Sequence, residues 1–252
     1  MTDTQTQTTP VQAAAKGLIS LTIVMPVYNE VRYIDEIVER VLAVNLPEGV
    51  TRELIIVDDG SKDGTRDKLA RIGQLPGVRV ILHEQNTGKG GALHTAFAQA
   101  KGDYVLVQDA DLEYSPSDIP RLLEPVISGN AEVVFGSRFI SGGSRRVLYF
   151  WHSVINKYLT LMTDVLTNLN LSDMEVCYKL IKRDLLQKLT LREKRFGFEP
   201  EVTLKLARLR PKPRFFEVGI SYAGRTYAEG KKIGLKDGFR ALWCLLRYAF
   251  FD

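Results

Sequence analysis

Apolar positions along the chain arrive in two alternating rhythms. Leu21-Thr-Ile-Val-Met-Pro-Val27 is a short, continuously apolar run ending at a polar loop, which predicts a buried strand. Ile34, Ile37, Val38, Val41 and Leu42 then recur at helical spacing. Glu53–Asp58 predicts a second strand, Thr65–Ile72 a helix and Val78–Leu82 a third strand. Ala92, Leu93, Ala96, Phe97 and Ala100 mark another helix, followed by strands at Tyr104–Val107 and Glu132–Phe135 with a helix over Pro116–Ile127 between them. The strands are apolar throughout rather than at every second position. That pattern predicts an α/β fold: a mostly parallel, Rossmann-like sheet flanked by helices.

After residue 140 the alternation breaks. Val147–Leu169 and Gly234–Phe251 read as two long amphipathic helices. Arg145 and Arg146 head the first; Lys236, Arg240 and Arg247 are interspersed in the second. Such stripes either pack on a core or lie on a membrane interface, and both readings stay open at this point. Met1–Gly17 is rich in Thr, Gln and Ala and nearly free of large apolar residues, so residues 1–18 read as a disordered tail. No apolar run reaches transmembrane length.

In a parallel sheet, ligands bind beyond the carboxyl ends of the strands. Four polar clusters follow strands here: Pro26-Val-Tyr-Asn-Glu30, Asp58-Asp-Gly-Ser61, Asn86 to Gly91, and Asp109-Ala110-Asp111. All four are expected on one rim. Asp109 and Asp111 can both give oxygens to a hard cation, and Mg²⁺ or Mn²⁺ is typically held by one or two carboxylates plus substrate phosphates. Glu113 is a possible third ligand. Asp58 can bind a base or ribose, while Asp63 or Thr65 caps the next helix. Asn86-Thr-Gly-Lys89-Gly-Gly91 opens a helix and has the look of a phosphate-cradling loop, but the Lys-Ser/Thr ending of a Walker motif is missing.

Charge changes the picture at one end of the chain. Formal net charge is +4, yet Lys205–Asp252 holds eleven Lys/Arg against four Asp/Glu, a net of +7 that leaves −3 for the rest. An anionic partner fits that end, whether a diphosphate, a lipid phosphate, an anionic membrane or nucleic acid, and a solvated surface is the plainer alternative. Two cysteines, Cys177 and Cys244, lie far apart in apolar surroundings and suit reduced thiols in a cytoplasmic protein. His83, His94 and His152 share no metal spacing and are expected to be structural. Glu199 and Glu201 open a helix and are expected to favour its positive end, with contact to the acceptor as the second reading.

Together these motifs resemble the family-2 glycosyltransferases, and more narrowly the dolichyl- or polyprenyl-phosphate mannosyl- or glucosyltransferase branch. The matching residues are Val24-Met-Pro-Val-Tyr-Asn-Glu30, Val57-Asp-Asp-Gly-Ser61, Asn86-x-Gly88-Lys89-Gly90, Gln108-Asp-Ala-Asp-Leu112, Gly136-Ser-Arg138, and Arg225 with Gly230-Lys231. The resemblance implies a GT-A fold with C-terminal amphipathic helices, an inverting reaction and a divalent metal. It divides residues 19–234 into a nucleotide-sugar half, 19–140, and an acceptor half, 141–234, followed by a basic amphipathic helix, 235–252. It implies that Pro26, Tyr28, Glu30 and Asp58 contact the nucleoside of a GDP- or UDP-hexose. Lys89, Asp109, Ala110 and Asp111 complete the donor site, with Arg138, Arg225 and Lys231 on phosphates.

The implied acceptor is a polyprenyl phosphate at the cytoplasmic face of a membrane, bound peripherally and without nucleic acid. Asp111 and Arg138 are the expected catalytic groups, with Asp173 as base if the acceptor is a hydroxyl. Asp173-Met-Glu-Val-Cys-Tyr-Lys179 and Ala228-Glu-Gly-Lys231 depart from the branch, both in the acceptor half. The rival readings are a transferase extending a saccharide hydroxyl, a sugar-nucleotidyltransferase, and a non-enzymatic anion-binding module.

Overall fold

A computed structural model describes residues 18–140, 146–147, 149–226 and 235–251, with backbone alone for 235–237. The chain order is β1 (Ile19–Val27), α1 (Ile34–Ala43), β2 (Val50–Asp58), α2 (Thr65–Ile72), β3 (Val78–Leu82), α3 (Lys89–Gln99) and β4 (Tyr104–Val107). A 3₁₀ turn at Pro116–Asp118 leads into α4 (Ile119–Ile127) and β5 (Val133–Ser137). Then come α5 (Phe150–Thr167), β6 (Lys179–Lys182), the short α6 (Arg183–Leu186), α7 (Phe198–Arg208), β7 (Phe215–Gly219) and α8 (Leu235–Phe250).

Among the described residues the strands form one seven-stranded sheet in the order β3-β2-β1-β4-β6-β5-β7. β1, β2, β3 and β4 are mutually parallel, and β5 is parallel to β7. β6 alone runs antiparallel to both its neighbours. β1 is an inner strand between β2 and β4, and Leu21 through Met25 are all buried, as a strand covered on both faces requires. β2 and β3 lie on one side of β1 and β4 on the other, so the strand order reverses between β1 and β4. A crevice opens at such a switch point, outside the carboxyl ends of the strands.

The expected strands and helices up to residue 140 are all present. β6 and β7 were not expected, and they place the acceptor half in the same sheet as the nucleotide half. β6 is only four residues long with a lysine at each end, so it carries no apolar run. Lys179 is nevertheless buried, donating from Nζ to the carbonyls of Met174 and Val176, with Phe135 beneath it.

α5 and α8 pack against each other and against α7. Their outer faces are apolar and open: Phe150, Trp151, Tyr158, Leu161 and Val165 on α5, and Phe239, Trp243 and Phe250 on α8. No helix among the described residues is long and apolar enough to cross a membrane. The tail, 1–17, lies outside the described residues, as do Arg145, Lys231 and Lys232.

Candidate active site

A cavity of about 590 Å³ occupies the carboxyl rim, walled by the loops after β1 and β4, the head of α3, and the inner sides of α5 and α8. It takes in Pro26, Tyr28, Glu30, Lys89, Asp109, Ala110, Asp111, Glu113, Arg138 and Arg225, all expected from the sequence. The four polar clusters therefore do converge.

The turn after β4 is built to aim its acids. Leu112 adopts φ +62°, a conformation a branched residue rarely takes, and strain of this kind gathers at functional sites. It is held from both sides: the Glu113 backbone N–H donates to Asp111 Oδ1 at 3.1 Å, and Ala223 N–H donates to the Glu113 carbonyl. Asp111 Oδ2 lies 2.7 Å from Arg225 Nη2. Burial, and then the charges of Asp109 and Glu113, push the Asp111 carboxyl up to about 7 against the opposing pull of Arg225. Such a carboxylate is under-neutralised by its protein surroundings.

On the other side, Lys89 Nζ lies 3.1 Å from Asp109 Oδ1, 3.0 Å from Glu199 Oε1 and 3.2 Å from Cys177 Sγ. Burial works against the lysine's charge, but Asp109, Cys177 and Glu199 outweigh it and hold its pKa well above the ordinary value.

Several sequence expectations need correction. Glu113 is not free for a metal. Its Oε2 accepts from Tyr222 OH at 2.5 Å, and its Oε1 accepts from Arg225 N–H and Nε at 3.1 and 3.2 Å. Among the described residues no three His, Cys, Asp or Glu side chains gather as a cation cage. Asp109 and Asp111 also line the cavity and carry cationic partners, Lys89 and Arg225.

Asp58 does not reach the cavity; Asp59 does. Asp58 is fully enclosed, with Oδ2 tied to Ser61 N–H and Arg66 Nε. Asp59 in turn holds the next loop, accepting from Thr87 N–H, Thr87 Oγ1 and Gly88 N–H and meeting His83 Nδ1 at 2.8 Å.

Asp173 is not placed as a base. It has no exposed surface, and its two oxygens accept from Arg138 Nε and Nη2 at 2.7 Å each, from Arg138 N–H at 3.0 Å and from Asn156 Nδ2 at 3.1 Å. This is a bidentate clamp that fixes Arg138 against the cavity, where the guanidinium also lies 5.2 Å from the Tyr222 ring centre.

The glycines after Asn86 answer to packing. A Cβ at Gly90 would fall 2.1 Å from the Glu193 carbonyl oxygen, and Gly91 N–H donates to the Lys194 carbonyl. The stretch is bare so that the Glu193–Arg195 backbone can dock on it.

Glu199 and Glu201 sit in the first turn of α7 but make no cap. Glu201 accepts the backbone N–H groups of Arg192 and Glu193, while Glu199 turns into the cavity. Glu175 and Cys177 also line it, so the setting of Cys177 is polar, and both cysteines are free and buried. His152 lines the cavity too, whereas His83 is structural, bound to Asp59 and Thr95. Glu175, Cys177 and the buried Lys179 alternate with Val176 and Tyr178 on the approach to β6. That period of two was the available signal for a strand end feeding the site.

Fold and crevice define the class: a doubly wound α/β enzyme with an acidic, cation-balanced site at the switch point of its sheet. Residues 22–190 match the model of glycosyl transferase family 2, and the chain belongs to that family. It is 34% identical over 218 residues to an undecaprenyl-phosphate mannosyltransferase of Micrococcus luteus, a match covering 84% of this chain and 86% of that protein. A dolichol-phosphate mannosyltransferase of Pyrococcus furiosus is 32% identical over 139 residues, covering 55% of this chain and 39% of that one. An undecaprenyl-phosphate 4-deoxy-4-formamido-L-arabinose transferase of Edwardsiella ictaluri is 29% identical, and the match spans 64% of its length. The chain thus spans less than two thirds of two of these three relatives.

In fold, the chain is similar to glucosyl-3-phosphoglycerate synthase from Mycobacterium tuberculosis, solved with Mn²⁺, UDP and phosphoglyceric acid. The TM-score is 0.71 at 20% identity over 93% of this chain and 80% of that one. The GT-A architecture is therefore present, and membership of the transferase family sets aside the nucleotidyltransferase and non-enzymatic readings.

Proposed function

We propose that this glycosyltransferase moves a hexose, mannose or glucose, from a GDP- or UDP-sugar to a polyprenyl or dolichyl phosphate, with inversion, at the cytoplasmic face of a membrane. One observation carries the reading. The cavity that holds Asp109 and Asp111 is also lined by Ile155 and Leu159 from α5 and Ala241 from α8. Those are the two helices whose outer faces expose aromatic residues. Acidic groups and apolar helix side chains lining one cavity suit a sugar nucleotide and a lipid phosphate. The named activities of the relatives support the same choice.

In this reading residues 19–140 supply the donor wall, 141–234 the acceptor wall, and 235–252 the surface helix. Pro26, Tyr28, Glu30 and Asp59 meet the nucleoside. Asp109 and Asp111 would hold Mg²⁺ or Mn²⁺ together with diphosphate oxygens, and Lys89, Ala110 and Arg225 complete the phosphate site among the described residues. Bound there, the metal would neutralise charge on the departing diphosphate. Arg138, fixed by Asp173, presents a permanent positive charge to the acceptor phosphate. That phosphate is already an anion, so its oxygen attacks the anomeric carbon without a general base while the bond to the nucleoside diphosphate breaks. The full engagement of Asp173 fits an acceptor of that kind.

The test is incubation with radiolabelled GDP-mannose or UDP-glucose, polyprenyl phosphate and Mn²⁺, followed by extraction into organic solvent. Label is expected in the organic phase, and D109A or D111A should abolish it. Label remaining in water for every donor would overturn the lipid-phosphate acceptor.

A further inference from the structure

Three cavity-lining residues hold a buried acceptor with nothing to accept: Asn156 Oδ1 on α5, and Glu175 Oε1 and Glu199 Oε2, whose carboxyls interact with each other. Glu199 is 4% exposed and Glu175 stands beside it; Glu175 Oε1 and Glu199 Oε2 are both shielded from solvent and take no hydrogen bond. Both residues line the cavity. A buried acceptor left unpaired costs about 1–3 kcal/mol, so the arrangement calls for a donor that arrives with a ligand.

The position of the two carboxyls identifies that ligand. Lys89 Nζ touches Asp109 at 3.1 Å and Glu199 Oε1 at 3.0 Å. Glu199 therefore lies one ammonium group beyond the acid that faces the diphosphate, with Glu175 interacting with it from the cavity lining, where the sugar attached to that diphosphate would project. The chemistry narrows it further. Lys89 already neutralises this corner and repels a cationic group, while the carboxylates repel an anionic one. Neutral hydroxyl groups remain. Burial, reinforced by the Glu199 charge, pushes the Glu175 carboxyl up to about 8, which leaves it able to donate as well as accept at neutral pH.

We infer that Glu175 and Glu199 receive the ring hydroxyls of the donor sugar and select an uncharged, hydroxyl-bearing hexose. This rests on the transferase reading above. Lys89 couples the two ends of the donor, balancing Asp109 with one contact and orienting Glu199 with another. Cys177, in contact with the same ammonium, lines the cavity with them.

Calorimetric titration of wild type, E175Q, E175M and E199Q separates sugar recognition from nucleotide recognition. The probes, with Mn²⁺, are GDP against GDP-mannose and UDP against UDP-glucose. The expected result is that E175Q and E175M bind the bare diphosphate as wild type does but bind the sugar nucleotide about tenfold more weakly, the size of one buried hydrogen bond, whereas E199Q, whose partner Lys89 also holds Asp109, weakens both with the greater loss on the sugar nucleotide. E175Q, which keeps an acceptor and a donor, should retain more than E175M. A cooperative unfolding transition in each variant guards against a folding defect. If the variants lower both affinities equally, or neither, the hydroxyl subsite is wrong and the transferase reading stands. If wild type binds none of the four probes, the transferase reading itself fails and takes the subsite with it.

Discussion

Asp173 shows how far burial constrains chemistry at a single residue. Its acceptor capacity is spent on Arg138 and Asn156. Removing the charge from one side of a buried ion pair leaves the other uncompensated, at about 3–5 kcal/mol. D173N should therefore lower stability and turnover together, without removing a limb from the pH–rate profile. A lost limb would restore Asp173 as a base.

Glu175 makes a second prediction at the same scale. Its folded pKa of about 8 lies above the ordinary 4.5, so the folded chain binds the extra proton between those values. The associated stability is present in full below pH 4.5, falls as pH rises and is gone above pH 8, with a slope of at most about 1.4 kcal/mol per pH unit. Urea unfolding from pH 5 to 9 should show this decline in wild type and a flatter profile in E175Q. Parallel profiles would mean that the carboxyl is not held neutral.

At the scale of elements, legibility followed the length of the apolar runs. β1 and β2 announce themselves because both faces of each strand are buried. β6 is hidden because its pairing is antiparallel, its length is four residues and a lysine is satisfied by backbone carbonyls inside the core. The rim clusters were legible because each follows a strand. Partners across the cavity were not, because Asp111–Arg225 and Asp173–Arg138 join positions far apart in the chain.

The loop before α3 was legible as glycine-rich, but its packing role was not, since the surface it accommodates, Glu193–Arg195, comes about a hundred residues later. G90A tests that account. Its Cβ would meet backbone rather than a movable side chain, so the 193–195 segment must shift. Overpacking of this kind costs about 1–3 kcal/mol. The midpoint of thermal unfolding should drop, and affinity for a sugar nucleotide should fall because Lys89 adjoins the displaced loop. An unchanged midpoint would mean the contact is not needed.

At the scale of the whole molecule, charge and apolar surface point the same way. The last fifth of the chain carries a net +7, and α8 places Arg240 and Arg247, about half exposed, next to a stripe of Phe239, Trp243 and Phe250. α5 continues the aromatic face with Phe150 and Trp151 at 70% exposure each. Arg240 and Arg247 share Glu193 at 2.8 and 4.0 Å, one acid against two bases, so the edge keeps positive charge. An interfacial helix binds through buried apolar area plus attraction to anionic lipid, and the two contributions respond differently to salt. Vesicles containing phosphatidylglycerol should therefore sediment the protein, with part of the binding lost between low and high salt. Neutral phosphatidylcholine vesicles should bind more weakly and with little salt dependence. W151S combined with W243S should remove the salt-resistant part, while R240Q combined with R247Q should reduce the salt-sensitive part. None of these four residues carries a sugar-nucleotide contact in the proposed site, so donor affinity in detergent should be unchanged. If the tryptophan pair leaves vesicle binding intact, the α5–α8 face is not the membrane surface, and the lipid phosphate must reach Arg138 by another side of the cavity.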